Sequence, residues 1–169
     1  MKNETVRFLA MALLAAALCG CSGQPAQGNQ PPEELAQIYA DAITAHGGEM
    51  VEYNPVITQV NEENAILLES MGLEAEDMTA FALSTTMMNT KAYGIAAVMP
   101  AQGREEAVES ALEDFVARKQ ADFERYLPDQ YDVARNAEVE TLDDGTVLLV
   151  MAEDGDRIFE EIAAAIRVG

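Results

Sequence analysis

An uninterrupted apolar run, Val147–Met151, constrains the fold of this chain more than any other segment. A strand with one solvent-exposed face alternates apolar and polar residues. This run has no polar position, so both faces of the strand are expected to be buried. Asp144-Gly145 lies just before it and is a strong signal for a two-residue hairpin loop with positive φ at both positions. Glu138–Thr141 alternates as a half-exposed strand does. The segment therefore predicts a hairpin whose second strand is central in its sheet.

A second hairpin is predicted upstream. Residues 78–86 alternate large side chains, such as Phe81 and Leu83, with small ones, and residues 92–99 repeat this arrangement. A period of two places alternate side chains on opposite faces of a strand. We therefore expect these two segments to pair around a connection at residues 87–91.

Helical periodicity and helix-terminating residues predict four helices. The first follows Pro31-Pro32 and stops at Gly47-Gly48, and the third ends at Pro128. Their predicted bounds are residues 31–46, 62–71, 104–127 and 154–167. The order helix-helix-hairpin-helix-hairpin-helix predicts an α+β fold, in which an antiparallel sheet of about four strands is packed by helices. The pattern leaves the strand order open.

The N-terminus has the pattern of a secretory signal. Lys2 and Arg7 precede an apolar stretch, residues 8–18, which is shorter than the roughly 20 residues that a permanent membrane-spanning helix needs. Leu18-Cys19-Gly20-Cys21 then resembles the lipobox of bacterial lipoproteins, in which the final cysteine is diacylated and becomes the new N-terminus. An ordinary secreted protein with an incidental Cys21 is the alternative. We predict lipidation at Cys21.

These features predict three parts in the chain. Residues 1–20 are expected to be a lipoprotein signal peptide, and residues 21–30 a flexible tether that begins at the lipidated Cys21. Residues 31–169 are expected to form a single α+β domain. The partner implied by the anchor is the cell membrane, reached through covalent lipid on its extracytoplasmic face.

Charge and cysteine content exclude several classes of function. The formal net charge of −20 excludes nucleic acid as the main partner, because phosphate would be repelled. Cleavage before Cys21 would remove Cys19, and acylation would block the remaining thiol. The mature chain is therefore expected to have no catalytic cysteine, disulfide or thiolate metal site.

The residues that could carry chemistry each have a structural explanation. His46, the only histidine, precedes Gly47-Gly48, where a basic side chain favours the end of a helix. Clusters of acidic residues occur, but none has the spacing of a calcium-binding loop, and there is no glycine-rich phosphate loop. We predict no catalytic residue, no metal site and no cofactor.

Two segments are candidates for contact with a protein or envelope partner. Tyrosine offers both apolar area and a polar tip, and methionine adapts to irregular surfaces. The candidate residues are Met87, Met88, Asn89, Tyr126, Pro128, Gln130 and Tyr131. The alternative is that the tyrosines hold a helix against the sheet and that the methionines fill the core.

The chain resembles a family of uncharacterised lipoproteins of Gram-positive bacteria, a domain of unknown function, over residues 31–167. The resemblance is carried by Met87-Met88-Asn89, Arg118-Lys119-Gln120 with Phe123, residues 126–131 and the strand at residues 145–150. It implies attachment to the cell surface and the α+β organisation. It implies no reaction and no ligand.

Two classes of function follow from these observations. The preferred interpretation is a lipid-anchored extracytoplasmic module that binds a partner without chemistry. The alternative is a small envelope hydrolase that uses carboxylates or His46. Ionisable groups that converge in a deep pocket would favour the hydrolase, and an exposed aromatic and methionine surface would favour binding.

Overall fold

The computed structural model describes residues 30–169. The signal peptide predicted for residues 1–20, the lipidated Cys21 and all but the last residue of the tether lie outside the described residues. Within residues 30–169, no helix combines the length and the apolar character that a membrane span requires.

The described chain contains five α-helices and two short 3-10 helices, Glu49–Glu52 and Ala75–Asp77. The α-helices are α1 Pro32–His46, α2 Ala65–Met71, α3 Glu105–Phe123, α4 Pro128–Arg135 and α5 Gly155–Val168. Helix α2 begins later than predicted, because the Asn61 side chain accepts hydrogen bonds from the N–H groups of Glu63 and Asn64 and closes a turn first.

Four strands form one antiparallel sheet. They are β1 Met78–Thr85, β2 Gly94–Pro100, β3 Glu138–Thr141 and β4 Val147–Met151, in the order β1-β2-β4-β3. The predicted α+β class, the two hairpins and the central position of β4 are confirmed. The order places β4 against β2, so the two hairpins join through their second strands.

Helices cover both faces of the sheet. Helices α1 and α5 pack on one face, where the buried side chains include Tyr39, Ile43, Ile95, Leu148 and Ile162. Helices α2, α3 and α4 pack on the other face, where the buried side chains include Leu83, Leu112, Phe115, Phe123 and Leu149. All five residues of β4 are buried, as its continuous apolar sequence requires.

The β3–β4 turn differs from the predicted two-residue loop. Leu142 N–H donates to the Thr146 carbonyl at 2.8 Å, and Gly145 N–H donates to the Leu142 carbonyl at 2.9 Å, so three residues form the loop. Gly145 has φ +92°, whereas Asp144 keeps a negative φ. The extra residue makes a type I turn followed by a glycine bulge, which needs positive φ only at Gly145.

The predicted third helix is two helices. Helix α3 ends at Phe123, where its last carbonyl accepts from the N–H groups of Tyr126 and Leu127, and α4 then begins at Pro128. The sequence pattern predicts that Pro128 ends a helix. Pro128 instead starts the next one, because the first turn of a helix needs no proline N–H and the ring fixes a helical φ.

The sheet gives the molecule two distinct ends. At one, here called the far end, β1 and β4 finish and β2 begins, since Thr85 pairs with Gly94 and Gly94 with Met151. At the opposite near end, Gln30 and Gly169 lie together beside Leu142. Gln30 Nε2 donates to the Gly169 carbonyl at 3.2 Å. The chain therefore enters the described fold at the near end.

Candidate functional site

The far end carries several exposed apolar side chains in the loops between helices and strands. These loops join α1 to the rest of the chain, β1 to β2, α3 to α4, and β4 to α5. Their exposed large side chains are Tyr53 (76% exposed), Met87 (58%), Met88 (50%) and Tyr126 (81%). An exposed aromatic and methionine surface is the feature that favours binding over catalysis.

One cleft at the far end, here called the main cleft because two others adjoin it, has a volume of about 380 Å³. It opens between the loop after α1, the start of β2 and the connection from β4 to α5. Tyr93 and Ile158 are fully buried beneath it, and Tyr53 stands exposed at its rim. The small residues Gly48 and Ala92 also line this cleft.

Charges of both signs line the main cleft. Lys91 Nζ lies 3.4 Å from Glu153 Oε1, and both side chains are exposed to solvent. Glu49 and Asp154 add further carboxylates, and Arg157 adds a second cation. The cleft can therefore hold a charged ligand, and it also offers the Tyr53 ring.

Two further clefts adjoin the main one, and Arg157 lines all three. One extends between the end of α1 and α5, with a volume of about 530 Å³, and the other extends toward α4, with about 510 Å³. We call the three together the far-end groove. Its acidic side chains are Glu49, Glu52, Asp132, Glu153, Asp154, Asp156 and Glu161, against Lys91, Arg157 and His46.

Asp154 holds an unusual backbone conformation at the edge of the groove. Its φ of 58° and ψ of 34° are left-handed, and it is the one non-glycine residue with positive φ among residues 30–169. Its carbonyl accepts from the Ile158 N–H at 3.1 Å and so begins α5. Aspartate tolerates this conformation better than most residues, and the geometry turns the chain sharply from β4 into α5.

His46 belongs to a charge network between two helices. It is the last residue of α1, and its Nδ1 lies 3.4 Å from Glu161 Oε2 on α5. Arg157 Nη1 donates to the same carboxylate at 2.8 Å. That hydrogen bond is the main cause of a lowered pKa at Glu161. The network fixes His46 beside α5, where it shares the Glu161 carboxylate with Arg157.

The hydroxyl groups near the cleft floor are structural. Ser84 Oγ donates to the Asn54 carbonyl at 2.6 Å and lies 2.9 Å from Tyr93 Oη. Burial raises the pKa of Tyr93 to about 12, although the hydrogen bond with Ser84 opposes this shift. Tyr93 is therefore neutral at neutral pH, and these groups hold the loop after α1 against the sheet.

The predicted residues of the β1–β2 loop line a separate cleft. Met87 and Asn89 border a space of about 380 Å³ together with Lys119, Asp122 and Phe123 of α3. Met88 is exposed in the same loop, so neither methionine fills the core. The structure thus places this loop at the surface.

The predicted residues after α3 divide into two groups. Gln130 Oε1 accepts from the Ala92 N–H at 2.8 Å, and Tyr131 packs half-buried against the core, so both hold α4 to the sheet. Pro128 begins α4. Tyr126 and Pro128 are exposed, and neither lines the far-end groove or the cleft at Met87.

Among the residues that form the groove, sequence reasoning named Gln130, which lines the main cleft, and missed three others. Tyr53, Lys91 and Arg157 are far apart in the chain, and the topology of the sheet brings them to one end. The available signal for Tyr53 was its place in a loop next to Asn54-Pro55, where a large aromatic side chain has no helical or strand face to join. Nothing local marked Lys91 or Arg157.

One family model matches the chain, over residues 55–152, a domain of unknown function designated DUF4358. The chain belongs to this family. The matched range contains the whole sheet with α2, α3 and α4, and it leaves α1 and α5 outside. The predicted resemblance to a domain of unknown function is thus confirmed. No curated protein and no solved structure matches the chain.

Proposed function

We propose that this protein is a lipid-anchored extracytoplasmic lipoprotein whose DUF4358 domain binds a protein or envelope partner without chemistry. The anchor is supported by the Leu18-Cys19-Gly20-Cys21 sequence and the polar residues that follow it. The observation that carries the binding role is the surface of the far end. There, exposed Tyr and Met side chains surround two open clefts.

The two ends of the molecule fit this arrangement. The tether joins the described fold at Gln30, at the near end, beside Gly169. Helix α1 then runs 15 residues toward the far end, which corresponds to about 22 Å at the helical rise of about 1.5 Å per residue. A chain anchored through Cys21 would therefore present the far end away from the membrane, toward partners in the envelope.

The charged groups favour recognition over hydrolysis. Glu153 is paired with Lys91, and Glu161 is paired with Arg157 and His46. A hydrolytic carboxyl acid needs a raised pKa. Burial raises the pKa of Glu138, but this residue lies on β3 and outside the groove.

Acylation of Cys21 can be tested with a matched pair of variants. Cells that express the protein are labelled with an alkyne fatty acid, and the label and the membrane fraction are measured. We expect the parent and Cys19→Ala to carry the label, since Cys19 would be removed with the signal peptide. Cys21→Ala should lose both the label and membrane retention. Equal labelling of Cys21→Ala would contradict the anchor.

The binding surface can be tested by photo-crosslinking in intact cells. A photoreactive amino acid is placed at Tyr53 or Tyr126 at the far end, or at Gln102 or Asp143 at the near end, all exposed positions. We expect crosslinked products from the far-end positions and few from the near-end positions. Equal crosslinking at both ends would show that the far end is not the partner surface.

A further inference from the structure

The far-end groove has a strong excess of negative charge. Seven carboxylates line it, against two permanently basic side chains, Lys91 and Arg157. Arg157 is engaged by Glu161, Lys91 by Glu153, and Asp132 is paired with Arg135 from outside the groove. A partner that enters the groove therefore meets carboxylates whose charge the protein itself does not balance, which favours a cationic partner.

The main cleft adds a second element of cation recognition. The exposed Tyr53 ring stands at the rim of the same cleft as Glu49, Glu153 and Asp154. Ammonium and guanidinium groups are attracted to the face of an aromatic ring and to carboxylate oxygens. A basic side chain can therefore be held between the ring and the acidic wall.

The ion pair between Lys91 and Glu153 inside the cleft can be displaced by such a ligand at little energetic cost. Lys91 and Glu153 are solvent-exposed and 3.4 Å apart, and exposed pairs of this kind contribute little stability. A ligand cation can replace Lys91 at Glu153 without leaving a buried charge unpaired, because the freed Lys91 ammonium returns to water.

The shape of the groove indicates the kind of cation. Three adjoining clefts extend from the end of α1, across the sheet end, to α4, and their volumes of about 530, 380 and 510 Å³ are similar. A single small cation would fill only part of one cleft. An extended peptide projects alternate side chains at regular intervals and can occupy successive clefts.

We propose that the far-end groove binds an extended peptide segment rich in lysine or arginine, as part of an envelope protein partner. This inference rests on the proposed binding function and names the chemistry of the partner. Arg157, which lines all three clefts, would then oppose the ligand and limit its affinity.

The test uses the full-length chain purified in a non-ionic detergent. The probe is a fluorescein-labelled octapeptide of alternating lysine and glycine, and its control has glutamine in place of lysine. Fluorescence anisotropy measures the dissociation constant. We expect the lysine peptide to bind more tightly than the glutamine peptide, and its binding to weaken as salt is added.

Matched variants separate the groove from the general acidity of the chain. The double variant Glu49→Gln/Glu153→Gln should weaken binding about tenfold, from two exposed ion pairs. The double variant Glu109→Gln/Glu113→Gln changes the net charge equally on the exposed face of α3 and should have little effect.

Two single variants test the details of recognition. Tyr53→Ala should weaken binding about threefold through the lost cation–π contact, whereas Tyr126→Ala, equally exposed but outside the groove, should not. Arg157→Gln should tighten binding, because a competing cation leaves the groove. A merely structural role for Arg157 would not produce this gain.

Each outcome has a defined meaning. Equal losses in the two acidic double variants would show diffuse charge attraction and overturn the inference, and so would equal binding of the glutamine peptide. If the peptide fails in this way while photo-crosslinks at Tyr53 persist in cells, the proposed binding function stands and only the chemistry assigned to its partner is wrong.

Discussion

The buried hydroxyl pair between α1 and the β3–β4 turn makes a sharp prediction about stability. Tyr39 and Thr146 are fully buried, and their hydroxyl groups are hydrogen-bonded to each other. Thr146 Oγ1 donates to Asp144 Oδ2 at 2.9 Å, so its single proton is used there. Tyr39 must therefore donate to Thr146. Desolvation raises the pKa of Tyr39, which keeps this donor protonated at neutral pH.

The two partners differ in what their removal leaves behind. Tyr39→Phe removes a donor, and Thr146 keeps its bond to Asp144, so the expected cost is about 0.5–1.5 kcal/mol. Thr146→Val has nearly the same shape but leaves the Tyr39 hydroxyl buried without an acceptor, at a further cost of about 1–3 kcal/mol. In the double variant the unpaired Tyr39 hydroxyl is absent. The loss of stability of the double variant should therefore be smaller than the sum of the losses of the two single variants.

Urea denaturation of the parent, both single variants and the double variant measures these free energies of unfolding. The predicted order is a larger loss for Thr146→Val than for Tyr39→Phe, with a coupling of about 1 kcal/mol between them. A loss for Tyr39→Phe that equals or exceeds that of Thr146→Val would refute the assigned direction of donation. Strictly additive losses would show that the two hydroxyls do not depend on each other.

Three further substitutions test the sheet and its turn. At Gly145 a Cβ would lie 3.9 Å from Met99 Sδ, so space is available and Gly145→Val should cost about 1–3 kcal/mol in urea denaturation through backbone strain alone, with Gly145→Asn costing clearly less. Gly94→Ala places a Cβ 2.8 Å from Phe115 Cε1, so we expect a loss of about 1–3 kcal/mol that Phe115→Leu partly relieves in the double variant. Desolvation and neighbouring carboxylates raise the pKa of Glu138 above 4.5, so the folded state binds this proton more tightly and stability falls as the pH rises from 4.5 through the raised value. The melting temperature of Glu138→Gln should therefore be higher than that of the parent at neutral pH and equal to it at about pH 4. An equal gain in melting temperature at both pH values would contradict the charge argument.

The sequence predicted those parts of the fold that local patterns determine. The apolar run of β4 predicted that both faces of this strand are buried. The structure buries one face under α1 and α5 and the other under α2, α3 and α4. The period-two pattern of β1 and β2 correctly divided Ala80 and Ala82 from Phe81 and Leu83. These features follow from neighbouring residues, so they are visible without knowledge of the tertiary structure.

Other parts depend on contacts that local patterns do not contain. Pro128 can end one helix or begin another, and the bond between Gln130 and Ala92 that holds α4 joins residues far apart in the chain. The turn at Gly145 depends on how many residues separate the last paired positions of β3 and β4. The far-end groove requires the strand order, since only that order brings Lys91, Tyr53 and Arg157 together.

The surfaces of the sheet explain why partner recognition is proposed at the far end. Both faces are covered by helices, and an uncovered edge would be the other place for a partner to add a strand. At the β1 edge, Ile57 and Leu83 exchange backbone hydrogen bonds of 2.9 and 3.0 Å, which occupies part of that edge. At the other edge, β3 is only four residues long and carries Glu138 and Glu140, and short charged edge strands resist pairing. The near end receives the chain from the proposed tether, so the loops of the far end are the surface that neither the helices, the edges nor the anchor would occupy.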